Sequence, residues 1–235
     1  MLKNIIHCLG RMYIKRIVES EVLGQSFKRH NERPIEYRFV FHCLTQLRPI
    51  TVLDVGTGTT ALPSLIASCG CMVKAIDNVK DYWPTGMVNR HWQVVDDDIR
   101  KPQTMDRFDM VTCVSVIEHI DEPLVAFRSM IALLKPGGHL VLTTPYNEQR
   151  SVPNVYVLPG AAYGQDVPYI CRCTSRREVD GWLSNTGSEI VCQELWQFWS
   201  GEVWTQGTPL PVPRQVTRTD PHQLTCLLLR KNLGG

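Results

Sequence analysis

Thr51-Val52-Leu53-Asp54-Val55-Gly56-Thr57-Gly58-Thr59-Thr60 is the stretch that decides the reading of this chain. Thr51 to Val55 is a short apolar run rich in β-branched residues, and it enters two glycines spaced for a tight turn. Residues 61–68 can then open a helix. Glycine suits such a turn because it accepts positive φ and lets a ligand approach bare backbone. A strand, turn and helix in this order make a nucleotide site at the carboxyl edge of a parallel sheet. Gly56, Gly58 and Ala61 satisfy the dinucleotide pattern Gly-x-Gly-x-x-Gly/Ala only loosely, and the Gly-Lys-Ser/Thr of a phosphate-binding loop is absent.

Outward from that turn, strand and helix signals alternate. Met72 to Asp77 reads as a strand ending in an acid, His91 to Asp97 as a third strand and Phe108 to Val114 as a fourth. A helix is predicted from Asp121 to Leu134, with Pro123 tolerated in its first turn. Lys135-Pro136-Gly137-Gly138 breaks it before a fifth strand, Gly138 to Thr144. Ser175 and Glu178 form a capping box that starts a helix ending near Gly187. Glu189 to Gln197 and Gln223 to Lys231 supply the sixth and seventh strands. Such alternation predicts an α/β fold, Rossmann-like and doubly wound, with a mostly parallel seven-stranded sheet. The fold begins at residue 49.

Ahead of it, Leu2, Ile5, Ile6, Leu9, Met12 and Tyr13 recur at helical spacing, interleaved with Lys3, His7, Arg11 and Lys15. With a second helix, Ile35 to Leu47, they predict an N-terminal helical cap over residues 1–48. Two long irregular segments, 146–174 and 198–222, are insertions with room for a substrate site. The second is rich in Trp, Gly and Pro.

Lys and Arg number 25 against 23 Asp and Glu, too even a balance for a nucleic-acid surface. Nine cysteines without Cys-x-x-Cys or zinc spacing argue for reduced thiols and no metal. No secretory or membrane-spanning run occurs, and a cytoplasmic location is expected.

Taken together, the motifs resemble a class I S-adenosylmethionine-dependent methyltransferase between Thr51 and Tyr146. Asp54-Val55-Gly56-Thr57-Gly58 is similar to the family's first motif, although Thr60 stands where a third glycine is usual. The resemblance implies a sheet whose last strand is antiparallel. It also implies S-adenosyl-L-methionine as cofactor, held by Asp54, Gly56, Thr57, Gly58 and Ser115, with Asp77 on the ribose hydroxyls. Asp98-Ile99 resembles the pair whose acid faces the adenine amino group. Leu134 to Gly138 matches the family's turn before the fifth strand. Glu32 to Tyr37, Ser115 to His119 and Thr144 to Tyr146 look like a bacterial group acting in surface-polysaccharide and secondary-metabolite biosynthesis.

The resemblance implies methyl transfer to a small-molecule acceptor, with oxygen favoured. RNA or protein methylation, or a non-catalytic cofactor-binding subunit, are the alternatives, and a homodimer is left open. His119 is the candidate general base, since imidazole is available near neutral pH; its other reading, with Glu118, is an anchor for the next segment. The pair resembles part of the metal site of small-RNA and ubiquinone-pathway O-methyltransferases, but Ser115 stands where those carry a further Glu. Tyr146, just past the fifth strand, is the second catalytic candidate, at the edge where acceptors bind. Tyr163, Tyr169, Trp196, Trp199 and Trp204 read either as core or as acceptor-site wall.

Overall fold

A computed structural model describes residues 2–25, 31–83 and 85–233. They fall into two compact units divided between Arg33 and Pro34. Residues 1 and 26–30 of the expected cap lie outside the described residues. The first unit carries one helix, α1 (Leu2–Leu23). It runs well past Tyr13, the last apolar position of the predicted spacing, aided by an exposed Lys15–Glu19 pair one turn apart at 3.6 Å.

Next in the chain is α2 (Arg33–Leu47), all but the first residue of which lies in the second unit; the Asn31 side chain accepts the Arg33 N–H. Its buried stripe is Glu36, Phe39, Val40, Cys43 and Leu44, the spacing of one helical face. The remaining elements are β1 (Thr51–Val55), α3 (Leu62–Ser68), β2 (Met72–Asp77), α4 (Val79–Tyr82), β3 (Val94–Asp96), β4 (Phe108–Val114) and α5 (Pro123–Leu133). After them come β5 (Leu134–Asn147), β6 (Thr174–Ser175), α6 (Arg176–Thr186), β7 (Ser188–Trp199), β8 (Pro209–Val216) and β9 (Leu224–Lys231).

One sheet holds the order β3-β2-β1-β4-β5-β9-β7-β8, with β6 beside β5. The first five of these strands pair in parallel. The last strand, β9, runs antiparallel between β5 and β7. Strand order reverses at β1 and β4, the switch point whose crevice binds ligands in open α/β sheets. Side-chain alternation along the strands divides the core. Val52, Met110 and Val141 face α2 and α3, while Leu53, Val111 and Leu142 face α5 and α6.

Three elements differ from expectation. The third strand is only three residues long, because the Asn89 side chain accepts the N–H groups of His91 and Trp92 and turns the chain there. The fifth pairs with β4 from Leu134 onward. The partner then jumps from Leu134, opposite Phe108, to His139, opposite Met110, so residues 135–138 loop out of the register. A Cβ on Gly138 would lie 2.9 Å from the Lys135 carbonyl oxygen, which is why that loop ends in glycine. Finally, the proline-rich stretch read as irregular contains β8, antiparallel to β7. Pro209, Pro211 and Pro213 lack N–H donors, and strand proline is tolerated at a sheet edge.

Candidate functional site

At the carboxyl end of β1 the chain turns through Gly56 and Gly58, at φ 70° and 54°. A Cβ on Gly56 would sit 2.3 Å from Val116, so the turn packs directly against the exit of β4. The Gly56 N–H donates to the Ile76 carbonyl of β2 at 2.9 Å. Asp54 is buried and fastens this turn: its carboxylate accepts the hydroxyls of Thr57 and Thr112, each at 2.6 Å. Asp54 and Thr57 thus shape the loop and direct these polar atoms inward.

Asp77 ends β2 and is 8% exposed. Its Oδ2 accepts the Gly58 N–H at 2.7 Å and its Oδ1 accepts the Trp83 indole N–H at 2.9 Å. Burial pushes the Asp77 carboxyl above its ordinary pKa, and the N–H donors pull it only part of the way back. The indole also comes 3.5 Å from where a Gly58 Cβ would be. Asn89 donates to the Gly58 and Thr60 carbonyls, closing the loop from the other side.

Along the acidic run 96–98, geometry departs from the motif. Asp98 is turned to Arg100, whose backbone N–H and guanidinium both reach it, with Nη2 at 2.7 Å from Oδ2. Burial raises the Asp98 carboxyl, and Arg100 more than offsets that, holding it low. Ile99 is buried in the core on the α5 side. In this structure the Asp98 carboxylate is thus engaged by Arg100, two residues on, and Ile99 packs inward. Asp97 is the buried acid of the three, accepting the Gln103 N–H, while its own N–H donates to the Asp77 carbonyl at 3.0 Å.

Beyond β4, Ser115 takes a left-handed conformation at φ 50°, costly for a residue with a Cβ. Thr143 of β5 holds it there, accepting the Ser115 N–H at its hydroxyl at 3.0 Å. Glu36 of α2, fully buried, accepts the hydroxyls of Ser115 at 2.5 Å and Thr143 at 2.6 Å. This carboxylate ties α2 to the ends of β4 and β5. In the sequence it is one position in an apolar helical stripe, and only a buried acid at that spacing hinted at it.

His119 closes a 3-10 turn, Ile117–His119. Its Nδ1 lies 2.5 Å from the Ile170 carbonyl oxygen, an atom that only accepts, so Nδ1 carries the proton. The ring meets Tyr169 edge-on at 4.8 Å. From Tyr169 the aromatic contacts run one way to Tyr82 and Trp83, beside Asp77. In the other direction they run through Tyr156 and Tyr163 to Trp199 and Trp204. Backbone bonds knit the same insertions, with Ala162 N–H donating to the Thr205 carbonyl at 2.9 Å. Trp199 and Trp204 are buried in this layer. Trp196 is engaged elsewhere, under the Arg38 guanidinium.

Tyr146 does not join them. It is 0% exposed and belongs to the core on the α5 and α6 side. Its hydroxyl donates to Glu148 at 2.7 Å, Arg176 lies over its ring and His222 stacks on it. Enclosed in this way, Tyr146 packs the core and stands apart from the aromatic layer that holds His119, where the sequence pointed to a catalytic position. Among the described residues, no group of three or more His, Cys, Asp or Glu side chains is arranged to hold a metal ion.

A sequence profile of a family described as a methyltransferase domain matches residues 27–193 of this chain. Among curated relatives, a ubiquinone biosynthesis O-methyltransferase of Alkalilimnicola ehrlichii is 29% identical over 147 residues, 60% of this chain and 59% of that protein. The chain thus spans about three-fifths of that relative's length. The protein of the same name from Xanthomonas euvesicatoria is 29% identical over 190 residues, 72% of this chain and 76% of its own. A similar solved structure is the 1,6-didemethyltoxoflavin-N1-methyltransferase of Burkholderia thailandensis with bound 1,6-didemethyltoxoflavin and S-adenosylhomocysteine. It has a TM-score of 0.56 and 16% identity, over 96% of this chain and 90% of that one, a likeness of fold.

Proposed function

Because the chain belongs to the methyltransferase-domain family, we propose that it is an S-adenosylmethionine-dependent methyltransferase acting on an oxygen of a small molecule. One observation carries this reading. The Asp77 carboxylate is buried beside two left-handed glycines, and the donors that hold it, from Gly58, Trp83 and Asn78, are neutral N–H groups. A carboxylate in that state is suited to accept a pair of ribose hydroxyls.

The residues fit the cofactor. Gly56 lets the turn close on Val116, and at Gly58 the atom nearest a Cβ is a ring edge at van der Waals distance, which leaves that backbone approachable. Ser115, left-handed and pinned through Glu36 and Thr143, bounds the other side of the crevice between β1 and β4. Asp77 would hold the ribose, and the Gly56–Gly58 turn and Ser115 the amino-acid end. When bound, the cofactor supplies an electrophilic methyl group on a cationic sulfur.

What remains for the protein is placement and dryness. The aromatic layer from Trp83 through Tyr169 to Trp199 runs from Asp77 past His119 into the insertions as a chain of rigid rings in contact. His119 stands in that layer with Nδ1–H fixed on Ile170, which makes Nε2 the basic atom of its neutral form. The role we assign to it is to take the proton of an acceptor hydroxyl. The O-methyltransferase names of the curated relatives support oxygen as the acceptor atom.

Nine free thiols support a cytoplasmic setting, and no described helix is long and apolar enough to cross a membrane. Calorimetric titration of S-adenosylhomocysteine into the full chain tests the proposal, with labelled methyl transfer to hydroxylated aromatics and sugars beside it. Binding that depends on Asp77 is expected. A chain that takes up neither cofactor nor product would refute it.

A further inference from the structure

Lys3, His7, Arg11 and Lys15 recur at every fourth residue of α1, and Ile5, Ile6, Leu9, Met12 and Tyr13 occupy the opposite side of the same turns. Those five apolar side chains are between 51% and 69% exposed. Arg16, one turn past Met12, closes the apolar stripe with another cation. The charge of this segment is of one sign, and Ile14 and Val18, also exposed, lie on the basic side. Residues 1–18 hold four Lys or Arg and no Asp or Glu, within a whole-chain balance of 25 against 23, so the rest of the chain is net acidic. Acid enters this helix only at Glu19 and Glu21.

We propose that α1 seats the protein on an anionic lipid surface, its apolar stripe at the headgroup–acyl boundary and Lys3, Arg11 and Lys15 among the phosphates. An interfacial helix needs an apolar face, a basic polar face and low overall hydrophobicity. The helix has all three, and it is too polar to span a bilayer. A second copy of the chain fits this face less well. Pairing two such stripes would gather eight Lys and Arg from the two 1–18 segments with no acid among them. Anionic lipid answers both halves of the helix at once, apolar against acyl chain and cation against phosphate.

Vesicle flotation of the full chain tests this, using phosphatidylcholine alone and phosphatidylcholine mixed with phosphatidylglycerol. Recovery with the mixed vesicles should exceed that with phosphatidylcholine by at least about tenfold and fall as salt screens the cations. Leu9→Asp with Met12→Asp should abolish flotation while circular dichroism and the melting transition of the rest of the chain stay unchanged. Lys3→Gln, Arg11→Gln and Lys15→Gln together keep the apolar stripe, guarding against misfolding of the first variant, and should remove the preference for phosphatidylglycerol. Absence of flotation, or flotation indifferent to both variants, overturns the proposal. So does a concentration-dependent dimer that the Leu9/Met12 variant dissolves, since that result gives the face to a second copy.

Discussion

Two carboxylates at opposite ends of the parallel strands are treated in opposite ways. At the amino end, Asp109 of β4 accepts the N–H and the hydroxyl of Thr51, each at 2.8 Å, and meets Lys135 at 2.7 Å. Burial pushes the Asp109 carboxyl up, but Lys135 and Thr51 outweigh it and bring the pKa down to about 2. At the carboxyl end, Asp77 is met by neutral N–H groups, burial prevails, and its pKa stays raised. A full counter-charge turns a carboxylate into a brace between strands. Neutral donors leave the charge in place but only partly stabilised, open to whatever arrives with hydroxyl groups.

The signs follow for pH. Asp109, depressed when folded, contributes stability that is complete above its unfolded pKa of about 4 and disappears as pH falls toward 2. Asp77, raised when folded, works the other way. Its ionisation costs the fold something as pH climbs past the ordinary carboxylate range.

Substitutions can break or sharpen this contrast. The largest effect belongs to the working end: His119→Ala should lower kcat by about 10²- to 10⁴-fold in a methyl-transfer assay while adenosylhomocysteine affinity holds. An unchanged kcat would leave His119 as an anchor for Ile170. Next, Asp77→Ala should weaken adenosylhomocysteine by at least about tenfold in calorimetry, on a loss of roughly 1.5–3 kcal/mol for a hydrogen bond to a charged group. Equal affinity would remove Asp77 from the site. Asp109→Asn should do the reverse, sparing affinity and lowering unfolding free energy by about 1–2 kcal/mol at neutral pH, after allowing for solvent screening. Denaturant titrations at several pH values should show that deficit closing as pH falls from about 4 toward 2. The smallest effect is expected of Trp83→Phe, which keeps a ring but takes one donor from Asp77. Affinity should rise by about two- to tenfold if the ribose must displace the indole. A fall would mean that indole and ligand share the carboxylate.

Legibility in the sequence tracked how local each signal was. The strand and glycine turn of 51–58, the acid closing β2 and the Ser175 capping box are written in consecutive residues, and the structure contains all three. Glu36 was hidden because its partners, Ser115 and Thr143, lie 79 and 107 residues away in the chain. Tyr146 reads as lying just past the fifth strand, whereas β5 runs on through Asn147 and includes it. Only the folded sheet shows that its ring points to the α5 side and that Glu148 and Arg176 enclose it. The segment 198–222 misled because proline signals loop in isolation, whereas an edge strand needs N–H donors on one side only.

That edge strand has a consequence for how the protein behaves in a crowded solution. A sheet with an open flank can recruit a neighbour's backbone and begin to polymerise. Here one flank is β3, three residues long, which gives an incoming chain little to anneal to. The other is β8, where prolines at 209, 211 and 213 withhold alternate donors along the strand. Aggregation by strand addition is thus discouraged at both margins of the sheet, at one by brevity and at the other by chemistry.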